Sequence, residues 1–379
     1  MNADLKYLFK FFLSVSIRLN PRLSAFHSPA ILILILSASV LAQSGRVKVT
    51  PTPTPTPRPS LAGPSVLTVP QDQWPKKGAK IEPTPTPPAD DVIKVESALV
   101  PIPVSVTDQN GRPVTNLKLE DFVLTIDGKP AEVSELARSE TPIRLAMLFD
   151  NSSSVLIARD FEKDAAVKFF RRVVRPEKDM AALFSVADYT RREQPLTKDV
   201  GLLTRAIEFF PQPEGATALL DGIIEVAAYL GSSTGRRVVV IVSDGDDTYS
   251  NDRTTLDGVI RTLLENNCQV YVMKTTDFEN YKRTGSRQGN ANIRALTAER
   301  RMLEIAKQTG GAVYSPIDEK EMDAAYNQIS AELAQQYVLS YYPDDEGATR
   351  GAFRSITLTI KGKPNYQVRT RNGYYVPKR

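Results

Sequence analysis

The sequence predicts an α/β fold: a Rossmann-like, doubly wound and mainly parallel sheet, inserted in or flanked by a small β-sandwich. Three observations predict it. From 139 to 336, strand-like apolar runs alternate with amphipathic helical patterns, the rhythm of a mainly parallel sheet. On either side, at 93–138 and 337–379, the period drops to the apolar–polar alternation of half-buried strands. Neither flank is large enough to hold a core alone. The economical arrangement is one sandwich built from both flanks, with the α/β part inserted between them.

The segments follow in order. Residues 1–42 have the pattern of an export signal: Lys6, Lys10, Arg18 and Arg22, then the apolar core AILILILSASVL, then small residues around Ala42. The apolar run is short for a membrane-spanning helix, which favours cleavage, although an uncleaved anchor stays open. No cysteine follows it to carry a lipid. Residues 43–92 hold PTPTPTPRPS and PTPTPP, Thr-Pro repeats that favour extended polyproline II and suit a semi-rigid spacer. In 93–138, turns are expected at Asn110-Gly111 and Asp127-Gly128.

In the α/β part, strands are expected at Ile143–Phe149, Ala181–Ala187, Arg237–Ser243, Cys268–Lys274 and Ala312–Tyr314. Helices are expected at Asp160–Val174, Leu202–Phe210, Leu219–Leu230, Thr255–Asn266, Ile293–Thr309 and Asp318–Gln336. Residues 275–290 read as a long loop. In 337–379, YVLSYY, FRSITLTIKG and YQVRTRNGYYV read as strands separated by turn residues.

Composition narrows the function classes. The chain has 379 residues, 41% hydrophobic and 24% charged, with a formal net charge of +4, which is too small and too dispersed to argue for nucleic acid. Cys268 is the only cysteine, so there is no internal disulfide, and its apolar strand context marks it as a buried small hydrophobe. The only histidine, His27, lies in the expected leader, which disfavours a Ser-His-Asp hydrolase. No GxxxxGK[ST] or GxGxxG is present. No general base stands out beside the candidate site, and the chain is not expected to be an enzyme.

In open α/β sheets, ligands bind in crevices beyond the carboxyl ends of strands. The run LAMLFDNSSSV ends a strand at Asp150 and places Ser152 and Ser154 directly after it. RRVVVIVSDG ends a second strand next to Asp244, and GATALLDGI places Thr217 in a loop just before a helix. Two carboxylates and three hydroxyls on one rim, without Cys or His, are hard donors that suit Mg²⁺ or Mn²⁺. Polar strand-end turns without a metal are the plainer alternative.

Asp150-x-Ser152-x-Ser154, then Thr217, then Asp244, resembles the metal-ion-dependent adhesion site of von Willebrand factor type A domains, over roughly 142–336. The flanks, with NGRPVTNLKLEDFVLTIDGKP and RNGYYVP, further resemble an exported bacterial family of such domains, of acidobacterial type. The resemblance implies that Ser152, Ser154 and, in at least one state, Thr217 ligate the ion through their hydroxyls. It implies that Asp150 and Asp244 act largely through bound water and by hydrogen-bonding the serines. Such an ion stays electrophilic and seeks an Asp or Glu carboxylate of a protein partner. The implied function is metal-dependent adhesion by an exported periplasmic, envelope or extracellular protein. The alternative is a structural or assembly protein of the cell envelope with a constitutive interface. A membrane enters only through an uncleaved N-terminal segment, and nothing in the sequence fixes an oligomeric state.

Other residues carry less. Asp246 and Asp247 are outer-shell candidates or solvated turn residues. Asp221 either orients the Thr217 loop or simply lies near a helix start. Lys282, Arg283 and Arg287 either attract an acidic partner or sit in a solvated loop. In the last helix, Met322, Tyr326, Ile329 and Leu333 form a core-facing stripe. That helix runs into YVLSYY almost without a linker, which raises two alternatives: coupling between site and sandwich, or a static packed helix.

Overall fold

Strands β1 (Val100–Thr107), β2 (Phe122–Ile126), β3 (Lys129–Ala131) and β4 (Glu135–Arg138) come from the first flank. The computed structural model describes residues 99–138, 141–153, 159–286, 292–343 and 349–377. The expected leader and Thr-Pro spacer lie outside the described residues. Among the described residues, no helix is long and apolar enough to cross a membrane. The turn joining β2 to β3 is the expected Asp127-Gly128 pair, with φ of 50° and 76°. Positive φ at both central residues is what a tight type I′ hairpin requires.

The α/β part follows the alternation of its sequence. Strand β5 (Ile143–Asp150) leads to α1 (Arg159–Val173), β6 (Met180–Val186), β7 (Thr190–Thr197) and α2 (Val200–Glu208). Then come α3 (Leu219–Gly231), β8 (Arg236–Ser243), α4 (Leu256–Glu265) and β9 (Cys268–Lys274). Helices α5 (Thr276–Thr284) and α6 (Ile293–Thr309), strand β10 (Ala312–Tyr314) and α7 (Glu319–Gln335) complete it. The sheet order is β10-β9-β8-β5-β6-β7, parallel except for β7.

Strands β5, β8 and β9 are apolar on both faces because both faces are covered. Met147, Phe149, Phe169, Phe170, Met273 and Ile329 share one core with α1, α2 and α7. Leu148, Ile223, Leu230, Leu263, Val272 and Ile305 share the other with α3, α4 and α6. This is the doubly wound sheet the sequence predicts.

Two elements differ from expectation. The polar run TRREQPLT forms β7, antiparallel to β6 at the sheet edge. An edge strand is half solvated, so it lacks the apolar signature of its neighbours. The expected loop 275–290 contains α5 at Thr276–Thr284. Acids Asp277 and Glu279 open that helix, Lys282 and Arg283 close it, and Gly285 ends it with φ of 68°. Phe278, fully buried, stacks on Phe161 at 5.5 Å between centroids, a tertiary contact that holds this short helix in place.

The second flank supplies β11 (Tyr337–Tyr341), β12 (Phe353–Ile360), β13 (Gln367–Thr370) and β14 (Gly373–Tyr375). It interleaves with the first in two four-stranded sheets, β13-β1-β11-β4 and β14-β12-β2-β3. In the first sheet Ile102 faces Leu339, and in the second Leu124 faces Leu358. Side chains of both sheets form one apolar core. Buried Tyr337 accepts from the Leu117 N–H and donates to the Val114 carbonyl, both at 3.0 Å.

Helix α7 passes into β11 through Gln336 alone. Glu332, near its end, accepts from the Ser105 hydroxyl (2.5 Å) and the Tyr271 hydroxyl (2.6 Å) and pairs with Arg369. One carboxylate thus ties α7 to β1, β9 and β13.

Candidate functional site

The chain leaves β5 toward β6 on one side, while β8 pairs with β5 on the other. That reversal is the topological switch point, where doubly wound sheets open a crevice. Asp150 ends β5, and Asp244 immediately follows Ser243, which ends β8.

Asp150 is buried, at 1% exposure. One carboxylate oxygen accepts from the Ser152 N–H at 3.0 Å and the other from the Ser243 hydroxyl at 2.6 Å. Burial first, and the charge of Asp244 second, push its pKa up to about 6. Ser152 is buried beside it. Asp244 accepts from the Asp246 N–H at 2.8 Å.

Three loops interlock around this point. Asn151 donates from its N–H to the Val186 carbonyl (2.8 Å) and accepts through its own carbonyl from the Glu214 N–H (3.0 Å). The Ser153 hydroxyl donates to the Gly215 carbonyl at 3.1 Å. Buried Arg159 donates to the Asn151 side chain and to the Pro211 carbonyl, and lies 5.2 Å from the Phe210 ring centroid. The first two loops are therefore clamped by one guanidinium.

Thr217, 4% exposed, donates from its N–H to the Thr248 hydroxyl (2.9 Å). Its carbonyl accepts from Thr248 and Tyr249. None of these bonds uses the Thr217 hydroxyl. Just before it, Asp188 accepts from the Ala216 N–H at 2.6 Å. Gly215, at φ of 78°, lies so near that an added Cβ would stand 2.5 Å from the Asp188 oxygen.

The Asp150, Ser152, Thr217 and Asp244 loops are thus locked together at the switch point; Ser154 lies outside the described residues. Two carboxylates absent from the expected set join them. Glu162, in the first turn of α1, is 1% exposed, and its Oε1 has no hydrogen-bond partner among the described residues. Burial, then Glu279, then Asp150 hold it well above the usual carboxylate range. Glu279 of α5 is pushed up to about 8 by burial and then by Asp244. A sequence signal for Glu162 existed: Ala165, Ala166, Phe169 and Phe170 put it on the buried stripe of its helix. Glu279 was hidden because its helix read as a loop.

The donors fit a hard divalent cation. They are carboxylates and hydroxyls, and the acids raise one another's pKa in the way a neighbouring positive charge would relieve. Among the described residues, no three Asp, Glu, His or Cys side chains converge at metal-binding distance.

The remaining candidates have structural partners. Asp221 accepts from the Asn251 N–H (2.8 Å) and the Thr254 hydroxyl (2.5 Å), so it orders the loop after β8. Asp247 accepts from the Leu220 N–H at 3.2 Å at the start of α3, and Asp246 pairs with Arg294. Neither is a purely solvated turn residue. Lys282 pairs with Glu319 at 2.6 Å, and Arg283 bonds Asn280, so they lie on a helix with partners of their own. Arg287 lies outside the described residues. Gly231-Ser232-Ser233-Thr234-Gly235 has the spacing G-x-S-x-G, but it joins α3 to β8 at the other end of the sheet. A nucleophile elbow runs from strand to helix, so this turn is not one. Cys268 is buried, and burial pushes its thiol up to about 12, where it is inert.

No family model and no curated protein matches the chain. Solved structures do superpose in part. The PilB minor pilin from Streptococcus sanguinis is 13% identical, over 52% of this chain and 62% of the pilin, with a TM-score of 0.40. The chain therefore spans less than two thirds of that pilin. The conserved hypothetical protein BatB from Bacteroides thetaiotaomicron is 14% identical, over 50% of this chain and 98% of that one, with a TM-score of 0.39. The SpRpn10 VWA domain is 17% identical, over 49% and 94%, with a TM-score of 0.34. The chemistry of the site rests on its own residues.

Proposed function

We propose that the chain is a metal-dependent protein-binding module of adhesion type, in which a divalent cation at the switch point engages an Asp or Glu carboxylate of a partner protein. The observation that carries this reading is the clamping of the Asp150–Ser153, Gly215–Thr217 and Asp244 loops into one rim of hard oxygen donors. Ser152 and Thr217, with Ser154 as the resemblance implies, would hold Mg²⁺ or Mn²⁺ through hydroxyls. Asp150 would orient Ser152, whose N–H it already accepts. Bound there, the ion would supply an electrophilic position for an incoming carboxylate. Arg159 keeps the two loops in register, and the Asp188–Ala216 bond fixes the approach to Thr217. Export is part of the proposal and rests on the leader's composition alone.

The test is calorimetric titration of the full chain with Mg²⁺ and Mn²⁺, beside Asp150→Ala and Ser152→Ala. Binding by the parent protein and its loss in both variants is the expected result. Unchanged binding in the variants would remove the ion from this site. Partner binding that survives chelation would transfer the function to a constitutive envelope interface.

A further inference from the structure

At the opposite end of the sheet, a cavity of about 230 Å³ lies in the seam between the sandwich and the α/β part. Pro101, Pro103, Val338 and Arg371 line it from the sandwich, and Thr141, Arg236 and Asn267 from the α/β part. Its volume is several times the roughly 30 Å³ that one water occupies in the liquid. None of the described residues lining it is an Asp or Glu.

Both arginines are buried, Arg371 at 4% and Arg236 at 6% exposure. Arg371 donates through one nitrogen to Asn267, while its Nε and Nη2 have no acceptor among the described residues. Arg236 donates to the Leu333 carbonyl (2.9 Å) and the Gln336 side chain, while its Nε has none among them. Of the charged groups around Arg236, Asp179 and Glu332 oppose its desolvation and Arg175 adds to it. Burial lowers Arg371 to about 10, which leaves it charged at neutral pH, and no carboxylate of the described residues offsets this.

The backbone that presents Arg371 is pinned. The Asn372 N–H donates to the Gln308 carbonyl at 2.9 Å, and Gly310 packs so closely that an added Cβ would stand 2.6 Å from the Arg371 nitrogen. Nearby polar side chains are already engaged: Gln269 donates to the Gly310 carbonyl and Thr309 to the Ile305 carbonyl. Two fixed cations with spare donors around one cavity are costly unless a counter-charge completes them.

We propose that this cavity is a binding site for a small, doubly charged oxyanion of the phosphate or sulfate type, held by Arg371 and Arg236. Guanidinium groups match the geometry of such oxygens. The anion would join the sandwich to the α/β part, independently of the cation site.

The experiment follows thermal unfolding of the full chain in chelator, so that no divalent ion takes part. Sodium phosphate, sulfate and acetate are each titrated against chloride at matched ionic strength. Phosphate and sulfate should raise the midpoint from about millimolar concentration in proportion to the logarithm of concentration, reaching about 5 °C at a hundredfold excess over Kd. Acetate should not. Arg371→Met should abolish the rise. Thr141→Phe, which fills the cavity and keeps both cations, should weaken it while circular dichroism stays native, and it decides the matter if Arg371→Met does not fold. A rise linear in anion concentration, or one that persists in Thr141→Phe, would be general salting-out stabilisation and would overturn the proposal. So would an equal rise with acetate, or none with any anion.

Discussion

The two ends of the same strands are chemically opposite. At their amino ends β5 and β8 carry Arg144, Arg236 and Arg237, and beyond their carboxyl ends stand Asp150 and Asp244. The arginines find carbonyl acceptors: Arg144 at Ile143 and Lys178, Arg236 at Leu333, and Arg237 at Ser233 and Asn266. The acids at the other end act on one another instead: Asp244 raises the pKa of Asp150, and Asp150 and Asp244 raise those of Glu162 and Glu279. The first arrangement takes most of its partners from the backbone, while Arg236 Nε has no acceptor among the described residues. The second is offset from within only in part, by Arg159 beside Glu162 and Arg283 beside Glu279. The two ends therefore differ in the sign of the charge left under-compensated, and on the proposed readings in the sign of the ligand each would take.

Substitutions can break this contrast. Arg236→Met should cost the most, about 3 kcal/mol, because it strands the Leu333 carbonyl and the Gln336 side chain. Urea unfolding should show a lower midpoint with an unchanged slope, and cation titration should be unaffected. Asp150→Asn should do the reverse in cation-free protein at pH 8. It removes a buried charge while keeping an acceptor, for a gain of about 1–2 kcal/mol, and ion binding should weaken at least tenfold, as read by calorimetry.

The pH profile sharpens the same point. Asp150 is raised from 3.8 to about 6 and Glu279 from 4.5 to about 8, so the native state holds more protons than the unfolded chain between those values. Stability of the chelated protein should therefore be highest below about pH 4 as far as these two groups are concerned. It should fall as pH rises through 6 and toward 8. Saturating Mg²⁺ should flatten that slope in denaturant titrations, and a slope unchanged by Mg²⁺ would count against a cation at this end. The smallest effect belongs to Lys282→Ala. Its half-exposed pair with Glu319 should contribute no more than about 0.5 kcal/mol, and cation titration should not change. A large loss of binding there would restore Lys282 to the site.

Legibility followed burial and period. Strands β5, β8 and β9 were readable because apolar runs of strand length, bounded by turns, have few alternatives. The Asp127-Gly128 turn was readable because few residues tolerate positive φ at both positions. Strand β7 was not, since TRREQPLT is half solvated and its pairing with β6 is decided by a neighbour, not by its own pattern. Helix α5 was hidden for a related reason, being short and anchored by the Phe278–Phe161 stack.

By itself, the sequence determined the alternation that makes a doubly wound sheet, and it placed Asp150, Ser152, Thr217 and Asp244 at strand ends or in a loop before a helix. These follow from local periodicity and from the rule that strand ends carry the polar groups. Tertiary structure alone decided that Glu162 and Glu279 share the acidic end, that Arg159 clamps two loops, and that Arg371 lies buried beside Arg236. Each of those depends on which distant segments pack together, and on the missing solvent there, which turns an ordinary charged side chain into one that needs a partner.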